Sequence, residues 1–362
     1  MADAAQILFV PALADGRAGH ARLHAWLTVP IWGLFGLLAL AYAFDITLPE
    51  RWLFVPFIAS LIFLGLPHGA VDHVILLRLR QQPMRLLSLA RVIVPYLAIA
   101  AAYLMVWLVA PLVACLSFIA LTWFHWGQGD LHSLLWLTRA AHLPTRAYRA
   151  AAVFVRGGLP MLVPLLAFPE IYAEVAGATV QALHANGSAE VFLSPALQWS
   201  LGLVYATVVL GYAWTTYRVA ARVHGLSAWR EDMAEVLLLI VFFALVHPVL
   251  AVGLYFCCWH AARHLARLLA YENAHLNPQG QRLVRIPRPT LKHVATRLVR
   301  HAWPTTLASL GLLGALYMFV PFPPDDLTAW LGLYLVLIAV LTLPHVWVVL
   351  KMDGAEAIWR TD

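Results

Sequence analysis

Charge is what this chain most lacks. Only 12% of its 362 residues are Asp, Glu, Lys or Arg, while 62% are hydrophobic and the mean hydropathy is +0.77. An ordinary soluble domain is about 25% charged. The composition therefore excludes a water-soluble enzyme and predicts a polytopic membrane protein. Cysteine is equally scarce: Cys115, Cys257 and Cys258 all lie in apolar stretches, so no disulfide framework is expected. The adjacent pair also lacks the CxxC separation of a zinc site. The N-terminus is too weakly basic for a cleavable signal peptide. Internal repeats, low-complexity tracts and flavin or nicotinamide motifs are missing too. The net charge of +6 and pI of 9.4 could suggest nucleic acid, but the placement of the basic residues assigns them to membrane topology.

What is present is a series of long apolar runs. A span needs about 20 such residues, and about ten spans are expected, near 25–45, 52–78, 88–109, 112–137, 147–169, 196–217, 233–247, 249–270, 303–321 and 327–350. With the N-terminus inside and sides alternating, all of the 24 basic residues except Arg51 and Arg156 fall in inner segments. Acids such as Glu50, Glu170, Glu174 and Glu190 mark the outer loops. By the positive-inside rule both termini are cytoplasmic. The expected organisation is a cytoplasmic segment 1–24, one all-α transmembrane catalytic domain 25–351 and a cytoplasmic tail 352–362. The outer loop 170–195 is expected to be irregular or interfacial, and the basic inner loop 271–302 to lie on the anionic inner leaflet.

Four histidines interrupt these runs: His68 in LGLPHGAVDH, His125 in LTWFHWGQGD, and His260 with His264 in CCWHAARHLAR. Ionisable side chains at membrane depth are costly and mark functional sites by default. Imidazole is also the commonest metal ligand. At ~1.5 Å per helical residue, His68, His125 and His260 lie about 26, 21 and 18 Å below the outer ends of their spans. They are compatible with one layer. His260 and His264, four apart, share a helix face. The four together predict a metal held by three helices, with His345 in TLPHVW as a fifth candidate, either ligand or substrate contact. Nitrogen ligands suit zinc, copper, iron or nickel. Gly65, Pro67, Gly69, Gly127 and Gly129 are expected to permit kinks and close approach, bending the backbone toward the ion. Asp72 and Asp130 follow candidate ligands and are expected behind them, accepting the other imidazole N–H. Their alternative is a charge pair with Arg156 or Arg263. Trp123, Trp126, Tyr255, Phe256 and Trp259 are candidate walls of an apolar tunnel, with Arg156 a further tunnel or accessory candidate.

GLPHGAVD at 65–72, WFHWGQGD at 123–130, RGGLP at 156–160, CCWHAARH at 257–264 and TLPH at 342–345 together resemble the Brp/Blh family. These are the bacteriorhodopsin-related membrane β-carotene 15,15′-dioxygenases. The resemblance implies Fe(II) on His68, His125, His260 and His264. It also implies cleavage of β-carotene by O2 into two molecules of retinal, destined for a microbial rhodopsin, in the cell membrane. One departure is the AAR between the paired histidines, where a small polar residue is expected first. Two rival readings differ in their sequence demands. A di-iron desaturase or hydroxylase wants several HxxxH or HxxHH runs near one face. Of this chain's two HxxxH runs, His20–His24 and His260–His264, only the second lies deep in an apolar run. A non-enzymatic carotenoid- or retinal-delivery protein, or a metal transporter, forms the second rival. A transporter should show paired carboxylates along a path and repeated halves, which are not seen.

Overall fold

The computed structural model describes residues 16–184, 187–273, 291–320 and 326–361. Among them every regular element is helical. The chain opens with α1 (Gly16–Ala43) and then a broken segment of four short helices: α2 (Glu50–Leu53), α3 (Val55–Ile62), α4 (Gly65–Gly69) and α5 (Asp72–Leu79). Next come α6 (Leu86–Val109), α7 (Pro111–Ser133), α8 (Arg146–Ala167), α9 (Pro169–Gln181), α10 (Pro195–Arg222) and α11 (Leu226–Leu245). A rod of α12 (Pro248–Leu254), a π-helical turn (Tyr255–Ala261) and α13 (Ala262–Asn273) follows, and α14 (Leu291–Phe319) and α15 (Leu327–Ala355) complete the bundle. Proline stands at the start of α7, α9, α10 and α12, where its missing N–H leaves no intrahelical bond unmade.

Among the described residues six segments are long and apolar enough to cross a membrane: His24–Ala43, Glu50–Leu79, Leu86–Val109, Arg146–Ala167, Pro195–Arg222 and Leu327–Ala355. The expected ten is thus corrected to six on length and composition. The other four segments do exist as helical rods, as α7, α11, α12 to α13, and α14. The first three carry the bundle's internal polar groups, among them Gln128, Asp130, Asp232, Glu235, Arg263 and Arg267. The outer surface is apolar, with Leu37, Val94, Leu97, Leu203 and Leu210 all exposed. That distribution of polar inside and apolar outside suits a lipid solvent.

The outer loop is helical in its first part and irregular, apart from a short 3-10 turn at Glu190–Leu193, over the described residues that follow. Residues 169–181 form α9, whose Ala176, Thr179 and Val180 are buried and which packs along α15. Of the inner loop 271–302, residues 274–290 lie outside the described residues, as do residues 1–15 of the N-terminal segment. The part from Leu291 is already helix α14.

The centre of the bundle is the crossing of α7 and α8. A Cβ at Gly127 would collide with the Val153 carbonyl, and one at Gly157 with the Trp123 carbonyl. Glycine at both positions lets the two backbones touch, as small residues do in membrane helix pairs. These glycines belong to WGQG and RGGLP, so the motifs fix how α7 is seated and hence where His125 points.

Candidate metal centre

Five imidazoles from four parts of the chain meet beside this crossing. His68 sits on the one-turn helix α4, which is set apart by the interruptions around Leu64 and Ala70. His125 lies mid-way along α7, His260 in the π turn, His264 on α13 and His345 on α15, just after Pro344. All five are buried, at 2–9% exposure. Ring centroids are 4.7 Å apart for His125 and His260, 4.9 Å for His345 with His68 and with His125, and 5.2 Å for His345 with His264. His260 and His264 lie 6.3 Å apart with planes 11° from parallel. The π turn therefore leaves them on one face. π turns of this kind are frequent at functional sites.

Nitrogens of His68, His125 and His260 all lie within 4.8 Å of one another. Nε2 of His125 is 3.2 Å from Nε2 of His260. Two imidazole nitrogens sharing one ion at ~2.1 Å each, at tetrahedral or right angles, stand about 3.0–3.4 Å apart. The observed separation therefore fits a shared cation. Nε2 of His264 and Nε2 of His345 are buried with no hydrogen-bond partner. Buried polar atoms of this kind call for an explanation, and a metal ion among them supplies one. The donor set fits a divalent transition ion.

Partners behind the rings set which nitrogen is free. His68 Nδ1 bonds the Gly65 carbonyl within its own turn. His345 Nδ1 lies 2.9 and 3.0 Å from the two carboxylate oxygens of Asp72. Asp72 thus stands behind His345, not behind the nearer-in-sequence His68. His125 Nδ1 approaches Oε1 of Gln128 at 3.4 Å, and Gln128 Nε2 donates to Asp353 at 2.8 Å. Arg267 donates to the other oxygen of Asp353, also at 2.8 Å. Sequence reasoning passed over Gln128 and Asp353. Gln128 had a usable signal, because it follows His125 by three residues and so lies on the same face of α7.

Asp130 makes the charge pair that was its alternative. It accepts from Arg156 Nε at 3.0 Å and from Trp259 Nε1 at 3.0 Å, with Arg263 3.8 Å away. Arg156 also bonds Asp232 at 2.7 Å and Glu235, and Arg263 bonds Glu235. Tyr212 and His142 complete the shell of Asp232, at 2.5 and 3.1 Å. This network ties α7, α8, α10, α11 and α13 together behind the histidines. Arg156 therefore braces the bundle and does not border the cavity.

A cavity of ≈ 360 Å³ opens onto the imidazoles, with His68, His125, His260 and His345 in its wall. Of the aromatic candidates, Trp126 and Phe256 line it. Trp123, Tyr255 and Trp259 do not. Trp123 turns outward, donating to the Phe154 carbonyl at 2.7 Å and packing on Phe154 and Tyr205. Tyr255 and Trp259 stack on each other at 6.0 Å, and Arg263 covers the Trp259 ring at 3.8 Å. Hydropathy does not tell these faces of a wholly apolar helix apart.

Residues 59–353 match the β-carotene 15,15′-dioxygenase family. The chain is 41% identical over 327 residues to the probable β-carotene 15,15′-dioxygenase Blh of Halobacterium salinarum, covering 90% of this chain and 92% of that one. It is 29% identical over 341 residues to the probable β-carotene 15,15′-dioxygenase Brp of the same species, covering 89% and 91%. It is 24% identical over 215 residues to a β-carotene 15,15′-dioxygenase from an uncultured marine bacterium, covering 58% and 67%. No solved structure matches it. With the family pattern covering most of the chain and every motif of the histidine cluster, this protein belongs to the β-carotene 15,15′-dioxygenase family.

Proposed function

We propose that this protein is an iron-dependent membrane dioxygenase. It cleaves β-carotene with O2 at the central double bond and releases two molecules of all-trans-retinal. The one carbon–carbon double bond is broken, and each of its carbons keeps one oxygen atom. The observation that carries the reading is the convergence of five buried imidazoles beside an apolar cavity, four of them in its wall. His68, His125, His260 and His264 would hold Fe(II), with His345 as a further ligand whose orientation Asp72 sets. Iron bound there supplies the binding and activation of O2.

The chain's own residues do the rest. The Gly65 carbonyl keeps a proton on Nδ1 of His68, and Asp72 keeps one on Nδ1 of His345. In each ring Nε2 is then a lone-pair donor, the form metal binding requires. Trp126 and Phe256 flank His260 with apolar surface, which excludes water and suits a hydrocarbon polyene. The arginine–carboxylate network holds α7 and α13 in place so that the imidazoles stay convergent. The enzyme would lie in the cell membrane as a multi-pass protein with both termini cytoplasmic. Its retinal would supply a microbial rhodopsin.

Expression in a β-carotene-producing host tests the reading. The wild type is expected to bleach the pigment and accumulate retinal, whereas His125→Ala should keep the pigment. Retinal from His125→Ala at the wild-type level would refute the ligand role of His125. An unbleached host carrying inserted, iron-loaded wild type would count against cleavage altogether.

A further inference from the structure

The cavity is closed at one end and open at the other, and the two ends are built differently. Along α15 its wall is Leu331, Tyr334, Ile338, Leu341 and His345. These are spaced three and four apart, one helical face about 21 Å long at ~1.5 Å per residue. His345 stands at one end of this stripe. At the other end, beside Leu331, the wall is completed by Tyr172 and Ala176 of α9 and Pro164 of α8, none of them exposed. α9 is seated firmly there, because a Cβ at Gly332 would come 2.5 Å from the Ala178 carbonyl oxygen.

Near the histidines the wall is different. α6 and α14 both pack against α15. Tyr96 of α6 donates to the Leu341 carbonyl at 3.4 Å, and Thr305 of α14 donates to the Ala70 carbonyl at 2.6 Å, two residues from His68. Both helices border the cavity from this level toward its middle, Leu312 lying about 10 Å along α14 from Thr305, and three of their lining residues are exposed: Leu97 at 57%, Leu312 at 37%, and Ala308. The apolar surface of the cavity is thus continuous with the lipid-facing surface of the bundle between α6 and α14.

A conjugated polyene is nearly uniform along its length. Apolar contact is non-directional, so the side walls cannot single out one double bond among its neighbours. Only a fixed stop can. We propose that β-carotene enters end-on from the bilayer between α6 and α14, and that the wall of Leu331, Tyr172 and Ala176 stops its leading ring with the central double bond at the imidazoles. The inference rests on the cleavage reading above. It makes α9, far from the metal centre in the chain, the element that sets the position of cleavage.

Purified holoenzyme in β-carotene-loaded bilayers tests this by the lengths of its products. Ala176→Phe shortens the closed arm and Leu331→Ala lengthens it. Each is expected to produce unequal aldehydes, one shorter and one longer than retinal, with retinal formation reduced about tenfold. Ala308→Phe narrows the mouth instead. It is expected to raise KM about tenfold while retinal stays the product. Retinal alone from whichever arm variant is active would overturn the proposal, and so would unequal aldehydes from Ala308→Phe. Inactivity of both arm variants would also count against it, since Leu331→Ala only enlarges the arm. A wild type that forms no retinal would defeat the cleavage reading itself. Wild-type retinal with unaltered variants defeats the stop alone.

Discussion

Asp72 and Gln128 show how single side chains decide which nitrogen an imidazole offers. Asp72 meets Nδ1 of His345 at hydrogen-bond distance with both oxygens. Asp72→Asn keeps the shape but removes the charge behind the ring. Iron retention and turnover are expected to fall about 10–100-fold, the usual cost of losing such a partner, as measured by bound iron and retinal yield. Unchanged iron and yield would place Asp72 outside the site. Gln128 links His125 to Asp353. Gln128→Leu removes both bonds, and a loss of about tenfold or more in iron affinity is expected from competition with a chelator. At this scale the sequence was informative about types and less so about pairings. Four histidines and Asp72 were legible because ionisable groups are conspicuous in apolar runs. The partner of Asp72 was not, because His345 is 273 residues away. Asp130 was legible either as a support for His125 or as a charge partner of Arg156 or Arg263, and the choice between them depends on how α7 crosses α8 and the π turn.

At the scale of elements, the crossing of α7 and α8 sets the position of His125. Gly127→Ala or Gly157→Ala would drive a methyl group into a facing carbonyl. Overpacking of this kind costs about 1–3 kcal/mol. Thermal unfolding in lipid or detergent should therefore show a lowered Tm, and retinal formation should fall with it. Gly36→Ala is the comparison, because nothing lies within 4 Å of its added carbon. Ala is the better helix former by up to about 1 kcal/mol, so Gly36→Ala should be neutral or slightly stabilising. Equal losses at Gly36 and Gly127 would show that close approach is not the cause. Gly127 was legible as a point of kinking and close approach, whereas Gly157 was not singled out. Which two backbones meet there needs both helices at once, so neither motif alone revealed the pairing. The π turn at Tyr255–Ala261 was illegible for another reason: a one-residue change of helical register alters no hydropathy pattern.

For the whole molecule, a bundle of apolar helices was legible from composition, whereas the number of strongly apolar spans was overcounted. Three of the four rods that fall short, α7, α11 and α12 to α13, carry buried polar and charged groups of the interior, so there the same residues that organise the site obscure the spans. One part of that charge system lies just past the end of α15. Glu356 contacts His132 at 3.1 Å and Arg267 at 2.8 Å. Burial alone would push its carboxyl up, but Arg267 and then His132 outweigh it and bring it from an ordinary 4.5 down to about 2. A depressed carboxyl stabilises the fold above its unfolded value and loses that contribution as pH falls toward the folded one. The wild type should therefore exceed Glu356→Gln in stability at neutral pH, with the difference fading between about 4.5 and about 2. Unfolding midpoints across that range check it, and a difference independent of pH would contradict the assignment.

The central claim is that imidazoles from separate helices hold one iron inside the bilayer, and metal analysis tests it most directly. Wild-type protein from iron-replete cells should carry a single iron per chain, with nitrogen-rich coordination by X-ray absorption. His260→Ala protein that still inserts and folds should have lost it. Wild-type protein that makes retinal with no bound iron, or a His260→Ala variant that keeps the full complement in the same coordination, would contradict the account.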